Sequence, residues 1–221
     1  MRCFLIILIS YLGIATGIAQ NNFESFLENE VVISYPVTTR YSHSFGIENR
    51  NFLIVDEVFN FKVKQLGLSH SSQYLLSKNR MVGFGIKYRF ENPFDADEEN
   101  ELRLMQELEW ENLKENYIIK NRIRTEQRFY ASRIKYRLRY EFGLKRYINT
   151  TKNNYFKAET ESLFELTKTS KPQLEQRLSL LYGWPILTNT GIELGAQYRL
   201  ADYTQELGHE LFIVVGIEVN L

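Results

Sequence analysis

From Arg133 to Leu144 the chain alternates without a slip. Ile134, Tyr136, Leu138, Tyr140, Phe142 and Leu144 share one face, and Arg133, Lys135, Arg137, Arg139, Glu141 and Gly143 share the other. A period of two marks an extended strand with one apolar and one polar face. In a helix, at 100° per residue, the same order would spread charge around the whole circumference. The pattern recurs at Val82–Phe90, Leu102–Trp110 (with Gln106 on the apolar face), Ile119–Phe129, Leu174–Trp184, Ile192–Leu200 and Leu211–Leu221. In the last of these, Phe212 and Val214 interrupt the polar face. Weaker strands read at Asn29–Tyr35, Thr39–Glu48, Glu57–Leu68 and Tyr155–Phe164, which makes eleven in all. Turn and charge signals separate them at Ser69–Asn79, Asn92–Asn100, Ile148–Asn154, Thr167–Lys171, Leu187–Thr190 and Ala201–Gly208.

Most of these strands exceed the ~5–6 residues usual in soluble sheets and match the ~9–11 that cross a bilayer at a tilt. The expected fold is therefore all-β, an antiparallel up-and-down transmembrane β-barrel. Single-chain bacterial barrels have even strand numbers. The expected count is 12, with the twelfth supplied by a strand near Asn22–Glu28 or by one split strand; 10 is the alternative.

Alternation alone does not say which face is inside. A soluble sandwich joins its apolar faces and wets its charged ones, whereas a membrane barrel turns apolar residues outward and polar ones into the lumen. Strand length favours the membrane. So do aromatics near strand ends (Tyr88 and Phe90, Trp110, Phe129 and Tyr130, Tyr182 and Trp184, Tyr198 and Tyr203), as interfacial girdles require. The final strand also keeps its apolar face to Leu221, as a closing edge needs. The lumen would then carry Arg103, Glu107, Glu109, Arg122, Arg124, Glu126, Arg128, Arg133, Lys135, Arg137, Arg139, Glu141, Glu159, Glu161, Glu175 and Arg177. Strands next in sequence are neighbours in a meander, so opposite charges meet across the ladder. The expectation is an ion-paired, largely plugged lumen that admits at most small solutes.

The 221-residue chain fits one domain, residues 20–221, behind an N-terminal segment, residues 1–19, with the form of a cleaved signal peptide. That segment has Arg2, an apolar run to Ile18 and small residues at Gly17 and Ala19, and it contains the single cysteine, Cys3. After it no apolar run approaches the ~20 residues of a membrane helix. Mean hydropathy is −0.32, which a barrel tolerates because only alternate residues face lipid. Lys plus Arg and Asp plus Glu balance at 27 each, so no net field recruits nucleic acid. The expected partners are outer-membrane lipid, lipopolysaccharide and the outer-membrane assembly machinery.

The segment Arg122-Ile123-Arg124-Thr125-Glu126-Gln127-Arg128-Phe129, followed by Tyr136-Arg137-Leu138-Arg139-Tyr140, resembles a strand pair of a domain-of-unknown-function family of outer-membrane barrels frequent in Bacteroidetes. Glu101-Leu102-Arg103-Leu104 and the chain length agree with it, while Leu221 departs from the terminal Phe common in outer-membrane proteins. The resemblance implies a fold and a cell outer-membrane location, and no catalytic residues.

Candidate chemistry is sparse. His43, His70 and His209 lack metal-ligand spacing, and no metal or cofactor is expected. His43 and His70 stand beside serines, but strand neighbours point to opposite faces, so sequence adjacency does not bring hydroxyl and imidazole together. The chain is not expected to be an enzyme, with His70 the best-placed base if it were. Asp95, Asp97, Glu98 and Glu99 read as a solvated acidic loop, and Gly83, Gly85 and Gly143 as relief of crowding in the wall. Two other functions stay open beside the structural or narrow-conduit barrel. One is a barrel enzyme acting on lipid or cell-surface polymer, and the other a periplasmic sandwich or lipocalin-like binder.

Overall fold

Alternating β-branched and aromatic residues over long stretches leave the backbone few options besides a sheet. In the computed structural model, which describes residues 23–55, 58–93, 98–168 and 170–221, every regular element is a strand. The proposed signal segment and Asp95 and Asp97 of the acidic loop lie outside these residues. The strands are β1 (Phe23–Pro36), β2 (Tyr41–Val55), β3 (Val58–Phe59), β4 (Val63–Ser77), β5 (Arg80–Glu91), β6 (Glu101–Leu113), β7 (Tyr117–Phe129), β8 (Ile134–Tyr147), β9 (Tyr155–Thr167), β10 (Gln173–Leu187), β11 (Thr190–Ala201) and β12 (Gly208–Asn220).

The sheet closes on itself. Each wall strand pairs antiparallel with the next, and β1 pairs with both β2 and β12. Among the described residues there are twelve strands, and eleven of them form the wall. The two-residue β3 pairs with Ile54 and Val55 of β2 on the same edge that β4 uses further along, so it is the split-off start of the β4 stretch. The suspected strand near Asn22–Glu28 is the first half of β1. Eleven alternating strands leave the first and last running the same way. The closing pair β1–β12 is accordingly parallel, in register from Phe23↔His209 to Ser34↔Asn220. The expected wholly antiparallel meander is corrected at that one seam, and the even-number rule does not apply to the wall.

Strand direction defines two rims. The proximal rim holds the start of β1 and the connections β5–β6, β7–β8, β9–β10 and β11–β12; the distal rim holds the end of β1 and the turns β4–β5, β6–β7, β8–β9 and β10–β11. Side-chain burial inverts the soluble rule. Phe45, Ile47, Leu68, Phe84, Tyr136, Leu138, Leu178 and Leu180 are exposed on the outside, while Glu101, Arg103, Glu126, Arg128, Glu165 and Arg199 are buried within. The buried large hydrophobics among the described residues are Phe26, Leu163, Leu181 and Phe212. Apart from these four, the buried side chains of the described residues are polar or charged, the reverse of the apolar core of a sandwich. Gln106, on the outer face, is satisfied across the ladder by Gln127 at 3.0 Å and by Thr125 at 2.8 Å.

Glycine relieves crowding inside the wall. A Cβ at Gly83 would lie 2.7 Å from Glu107 Oε1 and one at Gly85 2.8 Å from Met105 Cε, whereas one at Gly143 would make an ordinary 3.5 Å contact with Glu159. Gly195 is the tightest case, because its Cβ would meet the Leu180 carbonyl oxygen and, at 2.7 Å, Leu181 Cα. Backbone in a paired ladder has nowhere to move. Gly195→Ala is expected to cut sharply the fraction of protein that folds in detergent, measured by heat-dependent gel mobility, while Gly143→Ala folds normally.

Candidate functional site

Inside a barrel of this width, charged side chains reach little water, so each must find its partner on a neighbouring strand. The register supplies those partners. β6 and β7 place Glu107 opposite Arg124 and Glu109 opposite Arg122, and β8 and β9 place Arg137 opposite Glu165.

Glu101, with no solvent exposure, is the hub. Arg103 Nε lies 2.6 Å from its carboxylate and Arg128 Nη2 2.7 Å, Arg89 follows at 3.6 Å, and the Tyr130 hydroxyl donates to it at 2.7 Å. From there the network runs around the lumen. Arg128 also reaches Glu165, which binds Arg137 at 2.6 Å and Lys135 at 2.7 Å. Arg103 leads to Glu126, then to Arg139, which bridges Glu126 at 2.8 Å and Glu161 at 2.7 Å. Arg177 joins Glu161 to Glu175, and Arg122 pairs with Glu141. The pairing continues toward the distal rim. Arg124 holds Glu107 at 2.7 Å, Lys120 lies 3.1 Å from Glu141 and 3.8 Å from Glu109, and Lys157 binds Glu193 at 2.7 Å with Glu159 at 3.7 Å.

Fifteen of the sixteen residues read from the sequence as lumen-facing thus point inward. Arg133 is the correction. β8 starts one residue later, and Arg133 sits in the turn, half exposed, 3.7 Å from Glu99 and 4.9 Å from the Tyr130 ring. Several inward charges lay beyond the sequence reading. Glu165 fell one residue past the expected end of its strand. Glu28, Glu48 and Arg50 lie on or beside the weakly alternating strands, while their partners Lys87, Arg89 and Arg199 fall on the polar faces of Val82–Phe90 and Ile192–Leu200.

The proximal end is further closed by aromatics. Phe26 of β1 and Phe212 of β12 stack across the parallel seam with centroids 4.7 Å apart, and Phe52 lies 5.3 Å from Phe26. Cations cap these rings: the Arg199 guanidinium is 3.6 Å from the Phe212 centroid, and Lys64 Nζ is 4.6 Å from that of Phe52. The sequence exception at Phe212 is therefore a plug. Above it a cavity of about 730 Å³ spreads toward the distal rim, where Ser34, Ser44, Ser71 and Gln73 line its wall.

A family model described as "Protein of unknown function (DUF2490)" matches residues 29–207. The chain belongs to this family. No curated protein matches it. The DUF2490 match takes in the ion pairs that run from Glu48 to Arg177 and stops short of Glu28, Glu210, Phe26 and Phe212. Among the described residues of this DUF2490 chain, no group of three or more His, Cys, Asp or Glu is placed to hold a metal ion.

Proposed function

We propose that this DUF2490 chain is an integral outer-membrane β-barrel whose ion-paired lumen makes it a structural barrel, or at most a narrow conduit for small solutes. The observation that carries this reading is the inversion of burial: a closed wall with leucine, isoleucine and phenylalanine outward and a continuous arginine–glutamate network inward. Apolar surface on all sides of a barrel is costly in water and favourable in hydrocarbon. Wall strands of 12–15 residues are long enough to span it. Outward Tyr88 and Phe90 near one rim, and Tyr182 and Trp184 near the other, suit the two interfaces. The partners of this reading are outer-membrane lipid, lipopolysaccharide and the assembly machinery that inserts barrels.

The test is fractionation followed by reconstitution. The protein is expected in the outer-membrane fraction, soluble only with detergent, and faster on gels before boiling than after. In planar bilayers it is expected to give no steady conductance of the size of an open porin. A water-soluble monomer without detergent would defeat the membrane reading, and large stable conductance steps would defeat the sealed lumen.

A further inference from the structure

One polar constellation lies on the outside of the barrel and plays no part in the lumen. His43 on β2 and Ser72 on β4 are direct cross-strand partners, and both alternate outward with exposed Phe45 and Leu68. Ser72 Oγ lies 3.1 Å from His43 Nδ1, within the reach of a nucleophile and its base. The Tyr41 hydroxyl donates to Ser72 Oγ at 3.3 Å. His70 Nε2 lies 3.0 Å from the same His43 Nδ1, with the two rings stacked. Two other outward polar groups, Gln106–Gln127–Thr125 and Thr160–Gln176–Ser162, join only amides and hydroxyls that satisfy one another. Here, as in the outward Tyr198–His209 pair at 2.6 Å, a hydroxyl meets a basic nitrogen, but the hydroxyl is an aliphatic serine Oγ, the oxygen suited to acyl transfer.

Depth selects the substrate. The pair sits two residues inside Tyr41 and Tyr74, the last β2–β4 partners before the distal rim, or about 7 Å along the strand. Interfacial tyrosines mark the headgroup level; the layer just beneath holds the ester linkages of acyl lipids. The turns at this rim carry Arg40, Lys78 and Lys114, cations suited to phosphate-bearing headgroups.

We propose that Ser72 and His43 form an outward-facing acyl-ester hydrolase site acting on phosphate-bearing membrane lipid. With the His43 proton on Nε2, Nδ1 takes the Ser72 proton as Oγ bonds to the ester carbonyl carbon. The carbonyl–alkoxy bond then breaks, and the alcohol leaves with that proton. Water adds to the acyl carbon and gives a proton to His43, the Ser72 Oγ–acyl bond breaks, Ser72 recovers the proton, and a fatty acid departs. Tyr41 is the donor placed to follow the developing charge onto the carbonyl oxygen. His70 is a positioning residue whose Nε2 lone pair shares the proton gained by His43.

This inference rests on the membrane reading, since only a membrane brings acyl esters to that face, and heat-dependent mobility tells the two failures apart. Detergent-folded protein is incubated with glycerophospholipid micelles, with lipopolysaccharide micelles, and with a fluorophosphonate probe. Fatty-acid release from either lipid and labelling at Ser72 are expected. Ser72→Ala and His43→Asn, with unchanged heat-dependent mobility, lose labelling and at least ~100-fold in rate. His70→Phe lowers kcat at constant KM, and His70→Gln, whose amide oxygen accepts the same proton, restores most of it. A folded wild-type barrel that is neither labelled nor active, or activity that survives Ser72→Ala, overturns the proposal.

Discussion

Glu101→Ala lowers the unfolding free energy of the barrel by about 3–5 kcal/mol, the cost of leaving buried charges without their counter-ion. Arg103, Arg128 and Arg89 all face this one carboxylate, which has no exposure to solvent, and the Tyr130 hydroxyl donates to it as well. Removing it leaves three guanidinium groups repelling one another in a space that water reaches poorly. The measurement is the urea midpoint in detergent, followed by loss of the fast-migrating band. Arg133→Ala is the control. Its Arg133–Glu99 contact is 3.7 Å long at a half-exposed rim, and such pairs contribute about 0–1 kcal/mol. Equal midpoints for the two variants would remove the energetic case for the network.

Truncating the aromatic plug changes permeability instead. Phe26→Ala with Phe212→Ala takes away a stacked pair that is almost wholly buried between β1 and β12, and deprives Arg199 of the ring beneath its guanidinium. The 730 Å³ cavity then extends toward the proximal rim, and discrete ion-conductance steps larger than any of the parent protein are expected. Each truncation also costs about 3–5 kcal/mol of packing, so conductance is read only on protein that still shows heat-dependent mobility. Phe212→Leu, which keeps an apolar stopper, stays at the parent level. A folded double variant with no conductance would place the seal in the ion-pair network alone.

Most of the wall was legible because barrel strands write their two faces directly into alternate positions. The basic strands β7 and β8 and their acid-bearing neighbours β6 and β9 announced both the sheet and its inward charges. Legibility failed where the answer depends on register or closure. Nothing in the order of residues says that the last strand meets the first in parallel, and the even-number rule pulled the wall count away from the eleven visible strands. Phe212 looked like a lapse in the pattern because its partner, Phe26, is nearly two hundred residues away in sequence. The Ser72–His43 contact was hidden for the same reason. The serines adjacent to His43 in sequence point inward, and the hydroxyl beside its imidazole comes from the next wall strand, at a pairing no local spacing encodes. Arg133 shows the opposite error, in which a flawless period was extended one residue into a turn.

The parallel seam constrains any attempt to rewire the molecule. Where first and last strands run in opposite senses, a short peptide can join them and new ends can be cut elsewhere. Here the tail of β12 and the head of β1 lie a full barrel height apart, and like-directed strands need a crossover of a dozen or more residues. A circular permutant of this protein would have to send its linker through the occupied interior or along the greasy flank, so short-linker permutants should fail to close.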